Sequence, residues 1–131
     1  MAIITGFMYC DTVKPIFAEG KTGQQINLPL PQIILKMVPT EKSFSIAFCM
    51  DDIDLTSEHK LRIVFKNERD ETIIDIGTCQ LPENVAPNGL FFSIDIRNVL
   101  FNSVGKYYTQ IFFDDISVGI YPINVSLQTT A

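Results

Sequence analysis

Residues 101–125, FNSVGKYYTQIFFDDISVGIYPINV, constrain the fold of this chain more than any other stretch. They place Gly105 and Tyr107 before two runs of β-branched and aromatic residues that flank an acidic pair. Such runs around a short polar turn are typical of a β-hairpin. A tyrosine at the start of the penultimate strand, with its hydroxyl bonded to backbone a few residues upstream, is typical of immunoglobulin-type sandwiches. We therefore predict a tyrosine corner followed by a hairpin.

The centre of the predicted hairpin is the pair Asp114 and Asp115. If these residues form the turn, strict cross-strand pairing makes one face apolar apart from a single threonine, which suits a core. The other face then carries Tyr108 opposite Tyr121, with Phe112 beside them. This face is too aromatic for an idle solvated surface, because aromatic side chains are enriched at interfaces.

Short alternating segments extend through much of the rest of the chain. Residues 43–50 and 60–67 alternate apolar and polar side chains, as half-buried strands do. Residues 11–20 contain Pro15 and Gly20 and read as a connection with a little extended structure in it, and Gly6 suggests a bulge or a point of close approach in a first strand over residues 3–10. No stretch shows a capped helical period. We predict an all-β protein, a single immunoglobulin-like antiparallel β-sandwich of about seven to nine strands over residues 1–131.

Charge and hydropathy exclude several classes of partner. The net charge is −5 and the basic residues form no cluster, which argues against nucleic acid and against anionic membrane surfaces. No apolar run reaches the roughly 18 residues that a spanning helix needs. The N-terminus has no basic region of the kind that signal peptides carry. We expect a cytoplasmic protein that binds neither nucleic acid nor membranes.

The residue types that carry chemistry are few and scattered. Cys10, Cys49 and Cys79 are widely spaced in strand-like segments and are expected to be reduced core residues, without the paired spacing of a zinc site. The only histidine, His59, has charged neighbours and is expected to be a solvated loop residue. No phosphate-binding glycine loop or nucleophile elbow occurs. We expect no enzyme activity, no cofactor and no metal.

The best candidate for function is therefore the aromatic hairpin face. We hypothesise a non-catalytic protein-binding or adaptor module in which Tyr108, Phe112 and Tyr121, with Asp114 and Asp115 at the tip, contact a protein partner or a second copy of the chain. The alternative is that a loop or a neighbouring sheet edge covers these aromatic rings.

Several segments together resemble a group of small uncharacterised bacterial and phage β-sandwich proteins. These are MYCDTVKPIFAEGKTGQQINL, SFSIAF, KLRIVFKNERDETI and GKYYTQIFFDDISVGIYPINV, which extend over nearly the whole chain. The polar Gly23-Gln24-Gln25 departs from the group's pattern and leaves the register of the second strand open. The resemblance implies a fold and a bacterial or phage origin, but no activity and no site residues.

Two further hypotheses stay open. One is a phage or mobile-element protein that inhibits a host system or forms a small virion component, with acidic charge that mimics nucleic acid. The other is an enzyme or a small-ligand or Ca²⁺-binding domain that uses His59, Cys79 or the acidic loop of Asp51, Asp52 and Asp54.

Overall fold

In a computed structural model, the chain is built from β-strands alone over the residues that the structure describes, which are 2–18, 21–54, 58–81 and 88–129. The prediction of an all-β fold is confirmed. The strands are β1 (Ile3–Ala18), β2 (Lys21–Pro29), β3 (Gln32–Leu35), β4 (Thr40–Asp51), β5 (Lys60–Asn67), β6 (Thr72–Gln80), β7 (Leu90–Phe101), β8 (Gly105–Phe113) and β9 (Ile116–Leu127).

The strands form two sheets that share one core. The four-stranded sheet has the order β2-β1-β4-β7, and the five-stranded sheet has the order β3-β9-β8-β5-β6. Phe44 of β4 and Phe65 of β5 lie in different sheets, and their ring centroids are 5.3 Å apart. The pairing is antiparallel except between β3 and β9, which are parallel. The prediction of a wholly antiparallel arrangement was therefore wrong at this one edge.

The first strand is longer than the sequence predicted. Residues 3–10 of β1 pair with β4, and residues 10–18 pair with β2. The register shifts between Ile4 and Gly6, which confirms the predicted bulge. The prediction of a connection over residues 11–18 was wrong, because these residues continue β1. Pro15 lies opposite Gln24 of β2, beyond the part of β1 that pairs with β4. A proline is compatible with a strand that pairs on one side only. The rest of the predicted connection, residues 19–20, lies outside the described residues.

The predicted tyrosine corner is present at the start of β8. The Tyr107 hydroxyl donates a hydrogen bond to the Ser103 carbonyl oxygen at 2.7 Å, and Tyr107 is only 2% exposed. Gly105 has a φ of 139°, which side-chain-bearing residues rarely adopt. A Cβ at this position would also lie 2.8 Å from Oε1 of Glu68. The corner therefore depends on both the glycine and the tyrosine that the sequence singled out.

Replacing Tyr107 by phenylalanine is expected to lower the free energy of unfolding by about 0.5–1.5 kcal/mol, because the hydrogen bond to the Ser103 carbonyl is lost. The ring would keep its stacking on Phe65, 5.5 Å away. The measurement is urea denaturation at equilibrium. Tyr108→Phe, at the next position and on the other face of β8, is the control and is expected to change stability by no more than about 0.5 kcal/mol. Equal effects of the two substitutions would contradict a role for the corner hydrogen bond.

The turn of the β8–β9 hairpin is confirmed. Asp114 and Asp115 form a two-residue connection with φ angles of 51° and 66°. Positive φ at both central residues is the property of the type I′ turn, whose twist matches that of the flanking strands. Phe113 pairs with Ile116, as strict counting from the turn predicts.

The register further from the turn was predicted wrongly. It shifts between Ile111 and Phe112, so that Thr109 pairs with Tyr121, and Tyr108 pairs with Pro122 instead of Tyr121. A bulge adds one residue to one strand and so moves every later residue of that strand by one position. Because side chains alternate between faces, this single step transfers Tyr121 to the core face.

Candidate functional site

The outer face of the five-stranded sheet carries a group of apolar and aromatic side chains, which we call the outer patch. Tyr108, Gln110 and Phe112 alternate along β8 with buried residues and so point away from the core. Ile120 and Pro122 of β9 lie opposite Gln110 and Tyr108 and complete the patch. Ile120 is 57% exposed. The patch is a surface of side chains held on rigid paired strands.

Basic residues border the outer patch. On β5, Arg62 lies opposite Phe112 and Lys66 lies opposite Tyr108. The Arg62 guanidinium carbon is 5.6 Å from the centroid of the Phe112 ring, within the range of a cation–π interaction. Lys106 is exposed at the start of β8 on the same face. Three basic residues therefore border the patch, on a chain whose net charge is −5.

Two of these basic residues are fixed by ion pairs. Arg62 contacts Asp75 at 2.7 Å, and Lys66 contacts Asp70 at 2.9 Å. The hydrogen bond from Arg62 holds the pKa of the Asp75 carboxyl below its usual value. Val64 lies between Arg62 and Lys66 on the same face of β5 and is only 2% exposed, so the surrounding side chains close over it. The border of the patch is thus ordered by its own contacts.

A hollow adjoins the patch. It has a volume of about 280 Å³, and its lining includes Tyr108, Gln110 and Ile120 of the patch together with Lys66 and Asp70. The patch therefore adjoins a depression large enough for a side chain of a partner.

The structure places Tyr121 away from Tyr108 and Phe112. The Tyr121 ring stacks on Phe7 of β1, with ring centroids 4.1 Å apart and an interplanar angle of 4°. A Cβ at Gly119 would come within 2.6 Å of the Tyr121 ring, so this packing requires glycine there. Burial raises the pKa of the Tyr121 hydroxyl. Of the three aromatic residues predicted to share one face, the structure brings together only Tyr108 and Phe112.

Tyr121 instead lines a groove at the seam between the two sheets. The groove has a volume of about 380 Å³ and is mostly apolar. Its lining residues are Phe7, Met8, Tyr9, Pro29, Leu30, Pro31, Tyr121 and Pro122. Pro122 belongs to both surfaces, so the groove and the outer patch are neighbours on β9.

The two acidic residues of the hairpin tip lie at one end of the sheet. The Asp114 carboxylate receives a hydrogen bond from His59 Nδ1 at 2.6 Å through Oδ2, and another from the Lys60 backbone N–H at 2.8 Å through Oδ1. Asp115 is exposed. Asp114 thus has an intramolecular role that the sequence did not indicate.

His59 is buried, so the prediction of a solvated loop residue was wrong. Its ring packs 4.7 Å from the ring of Phe113, and its Nε2 faces the backbone carbonyl of Asp54. The hydrogen bonds to Asp114 and to the Asp54 carbonyl raise the pKa of His59 above its usual value. Both ring nitrogens are therefore occupied by contacts within the chain. The charged sequence neighbours of His59 gave no signal of this burial.

A small cavity lies beside His59. It has a volume of about 230 Å³ and is lined by Ala2, Asp52, Asp54, His59, Phe113, Asp114, Ile116 and Val118. Within the part of the chain that the structure describes, no group of three or more His, Cys, Asp or Glu side chains is arranged to hold a metal ion. The acidic loop considered for Ca²⁺ is therefore not gathered into such a group.

Cys10 is buried and Cys49 is half-buried, and both are free thiols. Burial raises the pKa of the Cys10 thiol, which disfavours the reactive thiolate. The side chain of Cys79 lies outside the described residues. Among the residues that are described, no helix is long and apolar enough to cross a membrane.

Comparison with known proteins identifies a family. The sequence model of DUF6941, a family of unknown function, matches residues 7–126. No curated protein matches the sequence.

Among solved structures, the alkylpurine DNA glycosylase AlkC of Pseudomonas fluorescens, bound to DNA containing an abasic site analog, matches with a TM-score of 0.50 and 8% identity. The match covers 95% of this chain but only 30% of the glycosylase chain. A β-glucosidase of Listeria innocua in complex with glucose matches with a TM-score of 0.49 and 6% identity, over 92% of this chain and 16% of the glucosidase chain. At such identities the likeness to the glycosylase concerns the fold alone.

Proposed function

We propose that this chain, which belongs to DUF6941, a family of unknown function, is a non-catalytic module that binds a protein partner through the outer patch. The observation that carries the proposal is that the exposed Ile120 and the half-exposed Tyr108 and Phe112 share one sheet face. Aromatic side chains supply large contact area at low cost in conformational entropy, and clustered exposed apolar residues mark interaction surfaces.

The proposal includes an immunoglobulin-like β-sandwich as the scaffold. In that fold, strands G, F and C share one sheet and strands A, B and E share the other. The orders β9-β8-β5 and β1-β4-β7 correspond to these two sets. The tyrosine corner supports the correspondence because Tyr107 stands at the start of β8, in the position of strand F. β6 then takes the position of strand C′, which variable-type domains add beside strand C.

The chemistry of the border indicates what kind of partner fits. Arg62 and Lys66 border the patch along β5, each paired with an aspartate, and Lys106 lies on the same face at the start of β8. Complementary potentials steer encounter and fix register at interfaces. We infer a partner that presents an apolar centre with acidic side chains around it. Arginine and tyrosine, here Arg62 and Tyr108, are among the residue types that carry most of the binding energy at interfaces.

The test uses a charge placed at the centre of the patch. Ile120→Glu is expected to weaken partner binding tenfold or more, about 1.4 kcal/mol, because it inserts a carboxylate where the partner is apolar and acidic. The matched control is Leu100→Glu on β7 of the other sheet, where the leucine is 48% exposed. Partners would be captured from the native host with the wild-type chain, identified by mass spectrometry, purified and titrated calorimetrically against each variant.

The outcomes separate the alternatives. Loss of affinity with Ile120→Glu but not with Leu100→Glu supports binding at the outer patch. Equal affinities of wild type and Ile120→Glu would refute it. Sedimentation of the chain alone tests a second copy as the occupant: a dimer that dissociates only with Ile120→Glu would assign the patch to self-association.

A second pair of variants tests the acidic border of the partner. Lys106→Glu is expected to slow association and to reduce its dependence on salt, because charges at an interface rim act mainly on the association rate. Lys36→Glu, at an exposed position after β3, is the control. If the two reversals change the association rate equally, the partner does not face the outer patch with acidic groups.

A further inference from the structure

His59 joins three separate parts of the chain at one end of the five-stranded sheet. It directly precedes β5, and its ring nitrogens face the Asp114 carboxylate on the β8–β9 turn and the Asp54 carbonyl in the β4–β5 connection. Both atoms that His59 faces are acceptors. A neutral imidazole has one donor and one acceptor nitrogen, whereas an imidazolium has two donors. Only the protonated ring can make both hydrogen bonds.

The same turn is held to β5 by two further hydrogen bonds. The Lys60 N–H donates to Oδ1 of Asp114 at 2.8 Å, and the Asp114 N–H donates to the Lys60 carbonyl at 2.9 Å. The Asp114 carboxylate therefore binds both the imidazole of His59 and the backbone N–H of Lys60. If His59 lost its proton, one ring nitrogen would present a lone pair to an oxygen atom, and one of its two hydrogen bonds would break.

We propose that His59 is a pH-operated clamp: when protonated it ties both the Asp114 side chain of the β8–β9 turn and the Asp54 backbone to the start of β5, and when neutral it keeps only one of the two. The clamp does not rest on the proposed binding function. It acts on the same hairpin as the outer patch, since Phe112 lies two residues before Asp114. Release would loosen the end of β8 nearest to that residue.

The charged groups around His59 favour the protonated ring. The β4–β5 connection contributes Asp52 and Asp54 to the cavity beside the ring, and the hairpin turn contributes Asp114. β5 contributes Lys60, whose positive charge helps to lower the pKa of the Asp114 carboxyl. The ring of Phe113 covers one side of the imidazole, and the β9 and N-terminal residues that line the cavity are uncharged. Carboxylates therefore outnumber the one cation near the His59 ring. Glu58, which directly precedes His59 in the chain, is exposed.

The direction of the pH dependence follows from the two partners. The pKa of His59 is raised in the folded state, so the clamp is fully made below the ordinary histidine pKa of about 6.5 and is lost as the pH rises through the folded value. For Asp114, burial opposes ionisation, but the hydrogen bonds from His59 and Lys60 outweigh it and lower its pKa. Its contribution is present above the ordinary aspartate pKa of about 3.9 and is lost as the pH falls through the folded value.

An NMR titration tests the clamp directly, because His59 is the only histidine of the chain. In the wild type, the His59 ring is expected to titrate above about 6.5. Asp114→Asn should lower that midpoint, since it removes the carboxylate that faces the ring. Asp115→Asn removes the same charge from the neighbouring turn position and should leave the midpoint unchanged. Asparagine is favoured at positive φ in type I′ turns, so both variants keep the turn.

Amide hydrogen exchange supplies the second readout. The protection factors of the Lys60 and Asp114 amides, each divided by that of the core amide of Ile111, should fall as the pH rises through the His59 midpoint. In Asp114→Asn the His59 transition should leave their protection unchanged. A wild-type midpoint at or below about 6.5, or protection of these two amides that does not change through the transition, would overturn the clamp.

Discussion

Replacing Tyr9 by alanine is expected to lower the free energy of unfolding by about 3–5 kcal/mol, the range for a large buried aromatic side chain. Tyr9 of β1 is only 6% exposed, and the centroid of its ring lies 5.0 Å from that of Phe7 and 6.0 Å from that of Phe44. Its hydroxyl crosses to the other sheet, where it donates to the Tyr121 carbonyl at 2.6 Å and lies 2.7 Å from Oγ1 of Thr109. The substitution therefore removes both packing and a polar link between the sheets.

The hydroxyl contribution can be isolated. Tyr9→Phe keeps the ring and is expected to cost about 1–3 kcal/mol, because it leaves Thr109 without its buried partner. Thr109 is fully buried, and because the Tyr9 proton goes to Tyr121, Thr109 is the donor in their shared hydrogen bond. Burial raises the pKa of the Tyr9 hydroxyl well above its usual range, so this hydroxyl is neutral at ordinary pH.

A double-mutant cycle measures the link. Thr109→Val combined with Tyr9→Phe should cost less than the two single substitutions added together, because removing both partners leaves no unpaired hydroxyl between them. The coupling should be about 1 kcal/mol and is measured by urea denaturation of the four proteins. Additive costs would show that the two hydroxyl groups do not stabilise the sheets jointly.

Replacing Phe65 by alanine should be similarly damaging, by about 3–5 kcal/mol. Phe65 of β5 is completely buried. The centroid of its ring lies 5.3, 6.1 and 5.5 Å from the ring centroids of Phe44, Phe101 and Tyr107, respectively. These rings come from both sheets and from the tyrosine corner. A cavity at Phe65 would therefore remove contacts to both sheets and to the tyrosine corner at once.

The matched control for Phe65 is Phe112→Ala on the adjacent strand. Phe112 is half-exposed on the outer face, and its one ring contact among the described residues is with the Arg62 guanidinium. The same substitution should cost only about 1 kcal/mol there. Thermal and urea denaturation of both variants would measure the difference. Similar losses from the two substitutions would mean that Phe112 is a core residue and would remove it from the proposed binding surface.

Much of the local structure could be predicted from residue order. Residues 60–67 alternate in the sequence and form β5 with the predicted bounds. The Asp114-Asp115 turn and the Tyr107 corner were predicted because each depends on residues within a few positions of one another. Turn-forming residues and side-chain alternation are local properties of the sequence, so they can be recognised without knowledge of the fold.

The candidate site was predicted only in part. Tyr108 and Phe112 lie on the outer face as expected, but Tyr121 does not, because one bulge opposite Ile111 and Phe112 shifts the rest of β9. That shift places Tyr121 against Phe7, a residue of the other sheet more than a hundred positions away in the chain. The contribution of Ile120 to the patch follows from the same shift. Gly119 was the one sequence feature that could have indicated the shift, because a glycine inside a strand often marks a bulge.

The sequence by itself determined most of the strands, the position of the hairpin turn and the position of the tyrosine corner, but not the second half of β1. Only the tertiary structure decided which face each side chain takes beyond the bulge, and that His59 is buried against Asp114, which is 55 residues away. The reason is physical. Alternation and turn geometry are set by neighbouring residues, whereas register and burial are set by pairing and packing between strands that are remote in the chain.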